Sequence, residues 1–457
     1  MSKAISRRDF MKVTGAVGAA GLLAACGGNS AASGSAASTA SSAPAASADE
    51  SLALSDGPVS MTISWWGGDS RHEAYQNAIK EFQAEHSNIT IEPTFAAWSG
   101  WEEKMAAAFI AGNAQDVCQV NWNWLYNYSA DGSKFVDLNT VSNFLDLTQW
   151  DKAAMDACYV ANSQQCVPVS MTGRIFFWNM TTFNKAGITE VPTTWDAFLA
   201  DCEAIKANGI SPVYYSGVDT WTLQFFALMG WYSDYAPEDA QAFADAMSTN
   251  QKHWSDMNGF IDSIGKIKEL VDLGYVQETY LSDTYQQAQQ ALLDGTCAFY
   301  AQGDWVVGEL EKIDADKTAS SIGAFLIPLA DHLYCGVGVN KGFYVSKNGK
   351  NPELAQKVME ALVSPEAQQA YFDAQSGIPI ANGVTADLKG PYADIKNILD
   401  TADLSPQWTD FCKYSKGPLE TYISEVLVGT KTPADVAAAL DADFAKAAID
   451  AGDPNWN

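Results

Sequence analysis

Apolar residues alternate in the first folded stretch. In Val59-Ser60-Met61-Thr62-Ile63-Ser64-Trp65 every second position is apolar, the period of a half-buried strand. Gly67-Gly68 ends the run. From Arg71 to about His86 the period lengthens, and Ala74, Ala78, Ile79 and Phe82 fall on one face of a helix. Ile89 to Phe95 is extended again, and Pro93 predicts an edge or a bend because proline cannot donate to a ladder. Ser99-Gly100-Trp101-Glu102 reads as a capping box for a helix that runs to Ala111 and stops at Gly112-Asn113. Val117 to Val120 reads as a third strand. Strand, helix, strand, helix, strand is the start of a doubly wound α/β sheet.

Later helices announce their ends in the same way. Pro192-Thr193-Thr194-Trp195-Asp196 opens one that closes at Asn208-Gly209. Asn351-Pro352 and Ser364-Pro365 place a cap before a proline, and Thr432-Pro433 opens an Ala-rich helix to about Ala451. No repeat of fixed period is apparent.

The first residues follow a different logic. Ser6-Arg7-Arg8-Asp9-Phe10-Met11-Lys12 is a twin-arginine export signature, followed by a Gly/Ala-rich apolar stretch from Val13 to Ala25. That stretch is too short for a membrane span, which needs about 20 apolar residues. It ends in Leu23-Ala24-Ala25-Cys26, which looks like a lipobox with Cys26 as the acylated residue. A Gly/Ser/Ala-rich run to about Ala48 has almost no charge and no large apolar side chain, so it reads as a flexible tether. Signal residues 1–25 and tether residues 26–57 therefore precede the folded part, and the expectation is a protein lipid-anchored to the outer face of the cytoplasmic membrane.

Composition narrows the class. Hydrophobic residues make up 47% and charged residues 18%, a globular balance, and the net charge is −28. Removing the signal leaves the chain more acidic still, which argues against nucleic acid and against direct adhesion to an anionic surface. Seven cysteines follow Cys26: Cys118, Cys158, Cys166, Cys202, Cys297, Cys335 and Cys412. They form no Cys-x-x-Cys pair and the four histidines are scattered, so neither a metal nor a cofactor is expected. Cys158 and Cys166 are spaced to close a short loop; the favoured reading is small buried side chains.

Tryptophan marks the candidate site. In open α/β sheets ligands bind beyond the carboxyl ends of the strands, and here those positions carry indoles. Trp65 and Trp66 end the first strand, Trp98 and Trp101 follow the second, and Trp122 and Trp124 follow the third, among Asn121 and Asn123. Trp221 and Trp305 lie in Gly/Asp-containing loops, the latter beside Asp304. A pyranose has apolar C–H faces and a rim of hydroxyls. Flat rings cover the faces, while Asn, Asp and Arg bond the rim. Asp69 and Arg71 are placed either to contact hydroxyls or to cap the following helix. Trp150, Trp195, Trp231 and Trp254 are expected to be structural.

Several segments carry a family resemblance. Ala111-Gly112-Asn113-Ala114-Gln115-Asp116-Val117 resembles an A-G-x-x-P-D-V segment with Gln115 in the proline position, and Phe177-Trp178-Asn179-Met180-Thr181-Thr182-Phe183 a Y-Y-N-x-x-x-F crossover. Val191-Pro192-Thr193-Thr194-Trp195-Asp196-Ala197-Phe198 matches a P-x-T-W-x-x-F helix start, and Gly303-Asp304-Trp305 a G-x-W loop. The paired starts Asn351-Pro352-Glu353 and Ser364-Pro365-Glu366 lead to Gly377-Ile378-Pro379. In this order the segments resemble family 1 of the extracellular solute-binding proteins, the carbohydrate-binding class related to maltodextrin-binding proteins.

The resemblance implies an α/β, two-lobed periplasmic-binding-protein-like fold: doubly wound sheets joined by a hinge of crossing strands. Residues 58–170 with 342–388 would form lobe 1, and 171–341 with 389–457 lobe 2. It implies a monomeric receptor, not an enzyme, that closes on a sugar and delivers it to the permease of an ABC importer. Carried over by position, ligand contacts fall on Trp66, Asp69, Asn121, Trp122, Asn123 and Arg174, near Trp221, Asp304, Trp305 and Gly336, and on the segment of Trp408. Two alternatives stand beside it. A glycoside hydrolase or surface lectin would need, for hydrolysis, two carboxylates across a scissile bond, which no spacing here identifies. A receptor of the same shape for a peptide or phosphate would call for more basic residues than Arg71, Arg174 and Lys341.

Overall fold

The computed structural model describes residues 57–97, 100–119, 134–138, 146–150, 154–155, 158–160, 163–374 and 377–456. Cys26 and its tether, Trp98, Asn121, Trp122, Asn123 and Trp124 lie outside these residues. Among the described residues no helix is long and apolar enough to cross a membrane.

The first strands are β1 (Val59–Trp66), β2 (Ile89–Ala96) and β3 (Val117–Gln119). β1 pairs in parallel with both others, as the alternation predicts. β2 ends the sheet order, and Pro93 lies in that edge strand. A small hairpin, β4 (Tyr159–Val160) and β5 (Ser163–Gln164), stands apart. Then comes β6 (Cys166–Asn179), followed by β7 (Ser211–Val213), β8 (Cys297–Gly303), β9 (Ile322–Phe325), β10 (Tyr334–Val345), β11 (Ile378–Pro379) and β12 (Asp403–Pro406).

The main sheet runs β2-β1-β3-β10-β6-β8-β7. β6 and β10 are its two long strands and run antiparallel, with Val337 opposite Gly173 and Tyr344 opposite Cys166. Each serves both halves of the molecule. β10 pairs with β12 at its start and with β3 at its end. β6 gives its first residues to β10 and its last to β8 and β9. These are the crossing strands.

Cores form on either side of the crossing. Successive β6 residues face opposite ways, as a strand's pleat requires: Ile175 and Phe177 join one apolar cluster and Phe176 another. The first cluster gathers Ile63, Ile91, Tyr75, Val358 and Phe372, and extends along the long strands to Val306, Leu310 and Leu399. The second is built largely of aromatic rings, among them Phe299, Phe325, Trp231, Trp254 and Trp408. A smaller third cluster holds Trp101, Phe135, Cys158, Cys166 and Tyr344.

Local signals set most helix ends. Thr194 Oγ1 accepts from Ala197 N, Asn351 Oδ1 from Leu354 N, and Ser364 Oγ from Ala367 N. Thr432 and Asp435 form a full capping box ahead of Pro433–Asp450. Ser99, where a capping box is expected, lies outside the described residues. The helix Trp101–Ile110 starts from Gly100, whose left-handed backbone (φ 72°) fills the cap position with no side chain. Asp116, from the A-G-x-x-P-D-V-like segment, accepts from Thr62 N and Oγ1 at 2.9 Å and from Lys350 N at 3.1 Å, tying β1 to the turn after β10. All seven cysteines after Cys26 are buried. Trp150, Trp231 and Trp254 are core residues, whereas Trp195 is half-buried, stacked on Phe198 and donating to Glu269 at 2.9 Å.

Candidate functional site

Strand order brings the candidate residues to the crossing. Arg174 on β6 lies opposite Gly303, the last residue of β8, so β8 delivers Asp304 and Trp305 beside the point where the long strands pass between halves. Two hydrogen bonds hold Asp304 there: Gly173 N–H donates to its Oδ1 and its own N–H donates to the Gly173 carbonyl, each at 3.3 Å. The Tyr392 hydroxyl donates to its carbonyl at 3.2 Å.

Asp304 is only 4% exposed. Burial lifts its pKa to about 6, against the opposing pull of the Arg174 guanidinium, the Gly173 N–H and the more distant Arg71. Arg71, in the first turn of the helix Asp69–Glu85 that follows β1, thereby couples that helix start electrostatically to the end of β8. Its Nη1 points at the Trp66 carbonyl at 3.5 Å and its stem lies against Gly67, so it braces the loop after β1.

Arg174 and Trp305 form a pair. The guanidinium carbon sits 5.2 Å from the ring centroid, an arrangement favoured by the ring's negative face. Arg174 Nη2 donates to Gln407 Oε1 at 3.3 Å, while Nε and Nη1 are buried without a hydrogen-bond partner among the described residues. Buried donors of this kind call for an acceptor. Trp305 packs directly over Gly303: a Cβ there would fall 2.1 Å from the indole. Phe225 stands 5.8 Å from Trp305 and 6.1 Å from Trp221, so two partly exposed indoles flank one buried phenylalanine. Trp66 is also partly exposed at the end of β1.

Four expected contacts are corrected. Trp65 is fully buried, stacked on Phe95 at 5.2 Å, with Nε1 donating to His72 Nδ1 at 3.0 Å. Trp66, one residue on, points the other way, because adjacent strand residues face opposite sides. Trp101 is buried in the third cluster, and Trp408 lies among Trp231, Trp254 and Phe243. Such rings have no open face for a ligand. Gly336 gives room to the Tyr232 ring, which lies 2.0 Å from the point its Cβ would occupy. Asp69 opens the helix Asp69–Glu85 at the mouth of the β1 loop; its side chain lies outside the described parts. Tyr232, Gln407 and Tyr392 were not singled out from sequence. Gln407 adjoins a flagged tryptophan, but no local pattern marks either tyrosine.

Two α/β cores, two long crossing strands, and aromatic rings beside a guanidinium and a carboxyl at the crossing define a two-lobed solute receptor. The comparisons agree. Residues 68–369 match the model of the bacterial extracellular solute-binding proteins, and the chain belongs to that family. Residues 4–24 match the twin-arginine translocation pathway signal sequence. The diacetylchitobiose binding protein DasA of Streptomyces coelicolor is 22% identical over 411 residues, covering 87% of this chain and 92% of that one. The multiple sugar-binding protein of Streptococcus mutans is 24% identical over 367 residues, covering 77% and 83%. Among solved structures, a chitin oligosaccharide binding protein superposes with a TM-score of 0.72 at 21% identity, over 86% of this chain and 99% of that one. The sugar transporter BL01359 of Bacillus licheniformis, in complex with stachyose, gives 0.70 at 16% identity, over 85% and 100%. These structures establish the two-lobed fold.

Proposed function

We propose that this chain is the sugar receptor of an ABC importer, held at the membrane by a lipid on Cys26 and releasing its ligand, unaltered, to a permease. Residues 58–170 with 342–388 act as one lobe and 171–341 with 389–457 as the other, hinged on β6 and β10. The observation that carries the reading is the placement of Trp305 and Arg174 side by side at that crossing, with unpartnered guanidinium donors next to an indole. A sugar ring supplies an apolar face to one and hydroxyl oxygens to the other. Trp66, Asp69 and Trp221, with Trp98, Asn121, Trp122 and Asn123, would complete the contacts. The partly exposed pair Trp221 and Trp305 favours more than one sugar ring, in keeping with the chitin-oligosaccharide and stachyose ligands named for its relatives.

The test is a thermal-shift screen of the chain without its signal and tether. The panel holds diacetylchitobiose, raffinose, stachyose, monosaccharides, amino acids, peptides and phosphates. A ligand at 100 times its Kd adds about 2.7 kcal/mol to folding stability. A rise in Tm with one sugar class, with no release of reducing sugar, is the expected result. A rise only with a non-sugar solute would overturn the ligand class. Turnover of the bound sugar would overturn the receptor reading, and loss of that turnover in Asp304→Asn would point to a hydrolase.

A further inference from the structure

Two helices from different halves of the sheet meet beside the candidate site. Asp69–Glu85 follows β1, and Val306–Ser321 follows β8. Glu309, in the first turn of the second, reaches the start of the first. Its Oε1 stands 2.1 Å, and its Oε2 3.1 Å, from the point a Cβ on Gly68 would take. Gly68 is the residue just before the first turn, and it has no side chain with which to cap the helix's leading N–H groups. Its backbone (φ −91°, ψ −176°) is open to any residue, so space alone requires glycine. About one turn beyond Glu309, Lys312 Nζ lies 2.8 Å from Glu73 Oε2, linking the same two helices.

A carboxylate at a helix N-terminus is stabilised by the partial positive charge of the unsatisfied N–H groups. Ordinarily the cap comes from the preceding residues. Here a carboxylate that meets the helix end comes from the helix after β8, and that end carries Asp69 and Arg71, which the candidate site draws on. We propose that Glu309 is a positioning residue: it fastens the β8 half onto the ligand-facing end of helix 69–85, with Gly68 as its seat, and so sets how readily the lobes close. The assignment rests on the two-lobed receptor reading. Glu309 acts without touching the sugar, and the exposed Lys312–Glu73 pair links the same two helices at the rim.

The experiment is done without sugar, so its outcome is independent of which ligand is bound. Glu309→Ala, Glu309→Gln, Gly68→Ala and the double variant Gly68→Ala/Glu309→Ala are compared with the parent chain. Hydrogen exchange is read at the backbone N–H groups of residues 70–73, and the radius of gyration is measured by X-ray scattering. Loss of the carboxylate should raise exchange at those positions about two- to fivefold and enlarge the radius, with Glu309→Gln intermediate. Gly68→Ala should do more, since its Cβ displaces the carboxylate. In the double variant there is nothing left to displace, so it should match Glu309→Ala alone. Exchange and radius unchanged in Glu309→Ala would overturn the proposal. So would a Gly68→Ala effect as large without Glu309 as with it. If Gly68→Ala does not fold, the two Glu309 variants still decide.

Discussion

Replacement of Asp304 by asparagine isolates the cost of keeping a charge in the candidate site. The residue is 4% exposed, and burial raises its pKa from 3.8 to about 6 even though Arg174 and Arg71 pull the other way. A carboxyl with a folded pKa above its unfolded one favours folding when protonated. Its contribution is complete below pH 4, declines as pH rises to about 6, and is flat above. A shift of about two units corresponds to roughly 3 kcal/mol lost at pH 7. Asparagine keeps an Oδ1 for the Gly173 N–H and nearly the same volume, so charge is the main change. In urea titrations the variant should be more stable than the parent by about 3 kcal/mol at pH 7 and equal to it at pH 4. A variant less stable at pH 7 would refute the reasoning, and would mean that the two arginines need the carboxylate more than burial opposes it. If Asp304 accepts from a sugar hydroxyl, affinity should fall in the variant while stability rises, the usual conflict between a functional site and folding.

Other expectations follow from the same geometry. Asp453 is buried and accepts from Lys413 Nζ at 2.7 Å, Tyr414 Oη at 2.6 Å and Asn455 N at 3.0 Å. These bonds, first that of Lys413, hold its pKa well below the ordinary carboxylate range. Its contribution is present above the unfolded pKa and lost as pH falls, so Asp453→Ala should cost about 3 kcal/mol at pH 7 and much less at pH 2, read by urea unfolding. Trp305→Ala should weaken sugar binding about tenfold or more with a small change in Tm. Trp65→Ala should instead lower stability by about 3–5 kcal/mol and leave affinity nearly unchanged once folded; equal loss of affinity in both would refute the division between site and core. Cys26→Ser should move the exported protein from the membrane fraction to the soluble one; if it stays membrane-bound, the lipid-anchor assignment fails.

The errors in the sequence reading have a common physical source. Period-two and period-3.6 patterns depend on neighbours within a few residues, and so β1, its following helix and the caps at Thr194, Asn351 and Thr432 were legible. Whether an indole is core or site depends on what lies opposite, which is long-range. Trp65 and Trp66 are indistinguishable by type. Only the alternation from Met61 and Ile63, both buried, assigns Trp65 inward, and following that parity strictly would have settled the pair. Trp408 offers no such clue, because the rings that enclose it, Trp231, Trp254 and Phe243, come from more than 150 residues earlier in the chain. Glycines show the same limit. Gly303, Gly336 and Gly68 sit at expected loops or strand ends. Their absent side chains make room for Trp305, Tyr232 and Glu309, respectively. Two of those occupants come from distant segments, so no local motif could have named them. A glycine beside a binding site is therefore weak evidence for ligand contact. In this chain the glycines seat the protein side chains that shape the site.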